Sequence, residues 1–122
     1  MPILEVEIVG RPEDFAEELA QRVANAAGEV FATAPGRTWI KLRFLSPACY
    51  AENHSVNAPM PIFVSILKFR HAEDADRAAE AMRLTAAVAQ TCGRAVEHVH
   101  LVYQPEGAGR VSFGGTLRVP DS

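Results

Sequence analysis

The chain contains an internal repeat. The segment MPILEVEIV, which starts at Met1, is followed by the similar segment MPIFVSILKF at Met60, a displacement of 59 residues. The same displacement, without any gap, aligns Arg11 with Arg70. Repeats of this length are supersecondary units, and solenoids need three or more of them. Two copies in 122 residues therefore predict a single pseudo-symmetric domain over residues 1–122.

Composition narrows the class of protein. With 48% hydrophobic residues, the chain can bury one core but is too short for two independent domains. The net charge of -3 gives no broadly basic surface, so nucleic acid is not an expected partner. There are two cysteines, no recognisable leader segment and no apolar run near the roughly 18 residues that cross a membrane. We expect a soluble, cytoplasmic protein with no membrane partner.

The first unit, residues 1–45, has the pattern of a β-α-β unit. Residues 3–9 alternate in hydrophobicity, as a strand does when one of its faces is buried. Pro12 then begins a predicted helix that continues to about Ala32 with one apolar stripe. A second alternating segment over 39–45 predicts the next strand.

The second unit, residues 61–104, repeats this plan. Its predicted elements are a strand over 62–69, a helix over 72–92 and a strand over 96–104. A polar, proline-containing loop over 46–60 joins the two units. The remaining residues, 105–122, predict a turn and a short hairpin.

These units predict an α/β (α+β) fold. Each β-α-β crossover pairs two parallel strands and places its helix on one side, in the right-handed sense. Two tandem β-α-β units then form a four-stranded mixed sheet with two helices on one face. The strand 62–69 is apolar on both faces, but the helices cover only one. A second copy of the chain is expected to cover the other, which predicts a homo-oligomer.

The repeated prolines differ in chemistry. Inside a chain, a proline nitrogen is a tertiary amide without basicity, whereas at a chain start it is a secondary amine. A methionine before a small residue such as proline is commonly removed, which would free the nitrogen of Pro2. Pro61 can never acquire that property. At most one proline per chain is therefore a catalyst.

A local two-fold axis between the units would surround Pro2 with cations. If strands 3–9 and 62–69 are antiparallel neighbours, Pro2 lies beside Lys68 and Arg70. Like charge and burial lower the pKa of an amine from its ordinary value of about 7.7–8.0, which favours a general base. The cations would hold a carboxylate or stabilise an enolate oxygen. The pattern predicts cofactor-independent proton transfer next to a carbonyl.

The opening PILEVEIV, the doubled β-α-β pattern and the closing GAGRVSFGG resemble the tautomerase superfamily over essentially the whole chain. The resemblance implies a homotrimer, because the fused members of the family are trimers, and an N-terminal proline that acts as acid or base. It places this proline at Pro2 and the carboxylate-binding cations at Lys68 and Arg70. Arg11, the repeat partner of Arg70, is a further candidate ligand of the small anionic substrate.

The resemblance also shows departures. The arginine on the second strand of the short members falls at Lys41 in one unit and at His100 in the other. The aromatic residue of the family's hairpin aligns with Val111, and Phe113 follows two positions later. Tyr103 resembles a tyrosine with which some fused members polarise substrate or water. Tyr103 and His100 are therefore candidate second acids, although Tyr103 also keeps the apolar phase of its strand.

The leading hypothesis is a homotrimeric tautomerase-like isomerase of a small 2-oxo or enol carboxylic acid. One alternative within the family is a hydratase, dehalogenase or decarboxylase of an unsaturated or β-keto acid, with Glu52 or Glu106 activating water. A different class is a non-catalytic module that binds a small ligand between subunits. His98 and His100 share a strand face, but no further ligand has companion spacing, so we expect no metal.

Overall fold

The structure is a computed structural model that describes residues 2–120. Met1, whose removal would free the Pro2 nitrogen, and the last two residues of the 105–122 segment lie outside this range. The helices and strands, in chain order, are β1 (Ile3–Val9), α1 (Leu19–Phe31), β2 (Trp39–Leu45), β3 (Ile62–Leu67), α2 (Asp74–Cys92), β4 (Val99–Tyr103), β5 (Ser112–Phe113) and β6 (Thr116–Leu117).

The four long strands form one mixed sheet in the order β2-β1-β3-β4. Within each unit the two strands are parallel, and the units meet through β1 and β3, which are antiparallel. This arrangement confirms the predicted α/β (α+β) fold. It also confirms the local two-fold relationship, because Ile3 pairs with Leu67 at one end of the interface and Ile8 pairs with Ile62 at the other.

The alternation of the strands determines which face of the sheet is buried. Even-numbered positions of β1 and β3 point towards the helices and are almost fully inaccessible. The largest fully buried side chains include Leu4, Val6, Ile8, Val23, Ile62, Val64, Ile66, Leu84 and Val88. Both helices therefore pack on the same face of the sheet, as predicted.

The second face of the sheet carries no layer of its own within residues 2–120. Cross-strand ion pairs cover part of it, with Lys41 Nζ 2.9 Å from Glu5 Oε1 and Arg43 Nε 3.1 Å from Glu7 Oε2. Beside these pairs lie apolar side chains, including the exposed Val102. Neither α1 nor α2 is long and apolar enough to cross a membrane.

The first helix starts later than the sequence predicts. Pro12–Asp14 form a separate 3-10 turn, and Phe15 then adopts an extended conformation with φ -126° and ψ 154°. The Phe15 ring packs against Phe44 at a centroid distance of 5.3 Å, which draws the chain out of helical geometry. Regular α-helix therefore begins only at Leu19.

The second unit also differs from prediction at its boundaries. The third strand ends at Leu67 rather than at residue 69, and the second helix begins at Asp74. A 3-10 turn occupies Val96–His98, so the last long strand starts at Val99. These differences leave residues 68–73 as a connecting segment beside the start of β1.

The C-terminal tail folds as the predicted hairpin and packs against the same end of the sheet. Backbone hydrogen bonds join Gly107 N to the Lys68 carbonyl at 2.8 Å and Ala108 N to the Phe69 carbonyl at 3.2 Å. The Phe113 ring on β5 lies edge-on to Trp39, with centroids 5.4 Å apart. The tail thereby completes one wall of the site described next.

Candidate active site

A cavity of about 440 Å³ lies where β1 begins and β3 ends. The end of β3, the loop after α1 and the C-terminal hairpin each contribute side chains to it. Its apolar walls are formed by Ile3, Leu67, Phe69, Val111 and Phe113. Such a pocket, largely apolar with a few polar groups, is the usual form of a small-molecule site.

Three cationic side chains also line the cavity: Arg37, Lys68 and Arg118. Arg37 comes from the loop before β2, and Arg118 follows β6 in the tail. No carboxylate lines this cavity among residues 2–120. Its charge therefore favours an anionic ligand with an apolar part.

Pro2 is buried and directly precedes Ile3, which lines the cavity, although Pro2 itself is not one of the lining residues. Its carbonyl accepts a hydrogen bond of 3.0 Å from the backbone nitrogen of Trp39, which fixes it against β2. Since Ile3 pairs with Leu67, the next antiparallel position places Pro2 opposite Lys68. This is the juxtaposition that the repeat predicts.

Lys68 extends towards the helices. Its Nζ lies 2.9 Å from Glu80 Oε2 on α2 and 5.2 Å from the centroid of the Phe31 ring at the end of α1. The Lys68 side chain is 18% exposed, so the pair is only partly screened by water. Lys68 is thus a fixed, ion-paired cation rather than a mobile one.

Tyr103 completes the same network. Its hydroxyl donates a 2.9 Å hydrogen bond to Glu80 Oε1, while Lys68 donates to the other oxygen. Burial, followed by the hydrogen bond to Glu80 and its charge, raises the pKa of Tyr103 far above the ordinary value. Tyr103 is therefore a protonated phenol that anchors Glu80, and it does not line the cavity.

Sequence reasoning missed Glu80, although a signal was present. Glu80, Leu84 and Val88 are all buried and recur every four residues, so they share one face of α2. A carboxylate in an otherwise apolar stripe is informative, because charged side chains are rarely buried without a partner.

Arg70 lies at the rim of the cavity and is exposed. Its guanidinium carbon is 5.6 Å from the centroid of Phe69, and that of Arg118 is 5.9 Å from the same ring. Two cations therefore contact one aromatic side chain at the cavity wall. Arg118 lines the cavity, whereas Arg70 does not. Arg37 and Arg118 were also missed, since both come from segments without periodicity.

No family model matches the sequence, and no curated protein matches it by sequence. Solved structures do match. A fused 4-OT, described as a wild-type symmetric trimer, has a TM-score of 0.77 and 17% identity, covering 95% of this chain and 94% of that one. Macrophage migration inhibitory factor from Oncomelania hupensis gives a TM-score of 0.74 and 16% identity, covering 97% and 83%. FG41 malonate semialdehyde decarboxylase gives 0.69 and 17%, covering 92% and 88%.

The fold is that of the tautomerase superfamily. At identities of 16–17%, these similarities establish architecture alone, and the chemistry must be argued from the residues of this chain.

Two predicted residues lie away from the Pro2 end of this tautomerase fold. His100 is exposed on the open face of the sheet and pairs with Phe63 across the strands, with the two rings tilted and their centroids 5.6 Å apart. Five residue steps lead from Phe63 to Lys68, which is about 17 Å of extended chain. Within a single chain His100 therefore lies away from Pro2, and its role as a second acid stays a prediction.

Arg11 is also placed at the opposite end. It follows β1, whereas Pro2 precedes it, so the full length of this strand separates the two residues. Within one chain Arg11 is therefore remote from Pro2, and its role as a substrate ligand stays a prediction. Arg11 is exposed beside the pseudo-equivalent Pro61 end.

The Pro61 end of the tautomerase fold is filled rather than open. Arg94 donates hydrogen bonds to the Met60 carbonyl and, at 3.0 Å, to the Val9 carbonyl. Its guanidinium carbon also lies 5.5 Å from the centroid of the Phe15 ring. The two ends of the β1–β3 pair thus share the same backbone arrangement, but their side chains differ.

Proposed function

We propose that the chain is a cofactor-independent enzyme of the tautomerase type. After removal of Met1, the secondary amine of Pro2 moves a proton between oxygen and carbon of a small 2-oxo or enol carboxylic acid. The observation that supports this proposal is the β1–β3 register, whose continuation by one position past the Ile3–Leu67 pair sets Pro2 opposite Lys68, at the end of the sheet where three cations line a cavity.

The proposed reaction is an isomerisation and needs no oxidant or reductant. The neutral Pro2 amine takes the proton of the enol hydroxyl as the carbonyl forms. The resulting ammonium then gives its proton to the carbon that carried the double bond. Positioned general bases contribute roughly 10² to 10⁴ in rate, and fixed cations stabilise the negative oxygen between the two steps.

The substrate carboxylate is assigned to the arginines at the cavity. Arg118 and Arg37 line it directly, and Arg70 adds positive charge at the rim. A guanidinium binds a carboxylate through two parallel hydrogen bonds, which orients the acid as well as attracting it. Lys68 is nearest to Pro2 in the strand register and is suited to the developing enolate.

Proton transfer is favoured over water-activating chemistry by the positions of the two candidate carboxylates. Glu106 Oε2 accepts a 2.6 Å hydrogen bond from the backbone nitrogen of His71, and Glu52 Oε2 accepts a 2.6 Å bond from the Tyr50 hydroxyl. Neither carboxylate lines the cavity. A hydratase would need a carboxylate facing Pro2 across the cavity.

We further propose that the enzyme is a homotrimer. The proposal is supported by the sheet face that no layer covers within residues 2–120 and by the fused 4-OT, which is a symmetric trimer. Cytoplasmic location remains part of the proposal.

The decisive experiment compares Pro2→Ala with Pro61→Ala. Both prolines are buried and both occupy the same position in their repeats, so the second variant controls for the loss of a ring. Ketonisation of phenylenolpyruvate and of 2-hydroxymuconate would be measured after intact mass confirms that Met1 is absent. We expect kcat/KM to fall about 10²- to 10⁴-fold for Pro2→Ala only. Equal losses would remove Pro2 from the mechanism, and an inactive wild type that still binds such acids would favour the non-catalytic module.

A further inference from the structure

Glu80 is the one charged side chain that is buried among residues 2–120, with 8% of its surface exposed. A buried carboxylate without partners is strongly destabilising, so its retention in an apolar stripe requires compensation. Here both oxygens accept hydrogen bonds of 2.9 Å, one from Lys68 and one from Tyr103. The carboxylate is thereby held in one position.

The pair that Glu80 makes with Lys68 lies next to Pro2. Continuing the β1–β3 register by one position past the Ile3–Leu67 pair sets Pro2 opposite Lys68, and opposed antiparallel residues have Cα separations of about 4.5–5.5 Å. Both residues directly flank their strands and continue the even-numbered phase that faces the helices, where Lys68 meets Glu80.

The charges of this pair act on Pro2 in opposite directions. The Lys68 ammonium disfavours a second positive charge beside it, whereas the Glu80 carboxylate favours one. Because the two groups are 2.9 Å apart and partly shielded from water, each largely cancels the field of the other at the amine.

We propose that Glu80 is a positioning residue that fixes the Lys68 ammonium beside Pro2 and offsets its charge there. The inference rests on the proposed function, since it requires a free Pro2 amine. Glu80 touches no reacting atom in this scheme. It sets the fraction of Pro2 that is neutral, and Tyr103 holds it in place.

The other charged or titratable groups around this pair come from each neighbouring element. They are Arg77 and Arg83 on α2, Tyr103 on β4, Arg37 after α1, Arg70 and His71 after β3 and Arg118 in the tail. Two further carboxylates lie one contact away, since Asp74 pairs with Arg77 at 2.9 Å and Glu106 accepts a hydrogen bond from the His71 backbone nitrogen. Glu80 alone pairs with Lys68 among residues 2–120, so its removal should lower the pKa of the Pro2 amine.

The test is an NMR titration of protein labelled with 15N-proline, from which Met1 has been removed. We expect Glu80→Gln to lower the pKa of the Pro2 amine by about one unit and Lys68→Met to raise it. The double variant Lys68→Met/Glu80→Gln should return close to wild type, because it removes both charges. Its uncharged pair is also expected to fold, as such replacements are often neutral or stabilising. Glu97→Gln, an exposed carboxylate near the other end of the sheet, makes the same change of net charge and should leave the pKa unchanged.

If Glu80 had a purely structural role, the two single variants would not shift the pKa of Pro2 in opposite directions, and the double variant would not restore it. An unchanged pKa in Glu80→Gln, or a double variant that departs from wild type as far as Glu80→Gln does, would overturn the inference. The titration can be measured on an inactive protein. If the expected pKa shifts are found but the protein turns over no substrate, only the proposed function is overturned. Turnover with an unshifted Pro2 would overturn the Glu80 role alone, and a Met1 that cells retain would overturn both.

Discussion

Arg118 lies with its guanidinium carbon 5.9 Å from the centroid of the Phe69 ring, so the C-terminal tail and the end of β3 share one wall of the cavity. Stacking on the ring holds the cation while leaving its N–H groups available to an anion. The tail therefore belongs to the candidate site as well as to the packing of the domain.

We expect Arg118→Ala to raise KM for a 2-oxo acid about 10- to 100-fold with a smaller change in kcat, because a charged hydrogen bond to the carboxylate is lost. Steady-state kinetics measure both constants. Arg22→Ala removes an exposed arginine from α1, away from the cavity lining, and serves as the matched control. A KM that stays within about twofold of wild type in Arg118→Ala would exclude this arginine as a carboxylate ligand.

Two buried glycines provide a second prediction. A Cβ at Gly107 would lie 2.9 Å from Val111 Cγ2 and 3.3 Å from the Lys68 carbonyl, whereas one at Gly10 would lie 2.9 Å from the flexible guanidinium of Arg94. Gly107→Ala must displace the stiff Val111 side chain that lines the cavity and also crowds the Lys68 carbonyl, so we expect a loss of about 1–3 kcal/mol in the free energy of unfolding and a raised KM.

Gly10→Ala should lose about 1 kcal/mol or less, since the Arg94 side chain can move, and its KM should match wild type. Urea denaturation and steady-state kinetics on both variants make the comparison. Equal effects on KM would show that Gly107 does not shape the cavity.

The strands and their pairing could be predicted because alternation and the repeat carry the information. The antiparallel register of β1 and β3 follows from the local two-fold, and the same symmetry predicts that Pro2 lies beside Lys68. The start of α1 could not be predicted in the same way. Phe15 continues the helical stripe in sequence, but its packing against Phe44 depends on a residue in the next strand.

The site was predicted only where it follows the strands. Arg37 and Arg118 reach the cavity through loop and tail geometry, which no periodicity encodes. Arg11 and His100 were assigned by analogy between the repeats and with the family, and the structure places both at the other end of the sheet. The symmetry of the repeat predicts the path of the backbone more reliably than it predicts which end of the β1–β3 pair holds the candidate active site.

The Glu5–Lys41 pair on the open sheet face gives a pH-dependent prediction. The hydrogen bond from Lys41, and then its charge, lowers the pKa of Glu5 from the ordinary 4.5. A carboxyl whose pKa is lower in the folded state stabilises the protein above its unfolded pKa, and this contribution is lost as the pH falls through the folded pKa.

A double-mutant cycle of Glu5→Gln and Lys41→Met should give a coupling of about 0.2–1 kcal/mol at neutral pH, small because both side chains are exposed. The coupling should vanish well below pH 4.5, once Glu5 is protonated. Urea denaturation across the acid range measures it. A coupling that persists unchanged in acid would mean that the charge of Glu5 does not stabilise the fold.

The open sheet face predicts where copies of the chain meet. Val102 on the edge strand β4 is 57% exposed on this face, directly beside Ser65 of β3. Because a charge buried between subunits is costly, Val102→Glu should shift the proposed trimer to monomers. Met82→Glu introduces the same charge at a residue of α2 that is 75% exposed, and it should leave the assembly intact. Sedimentation equilibrium on both variants decides the matter, and a Val102→Glu protein that stays trimeric would place the interface elsewhere.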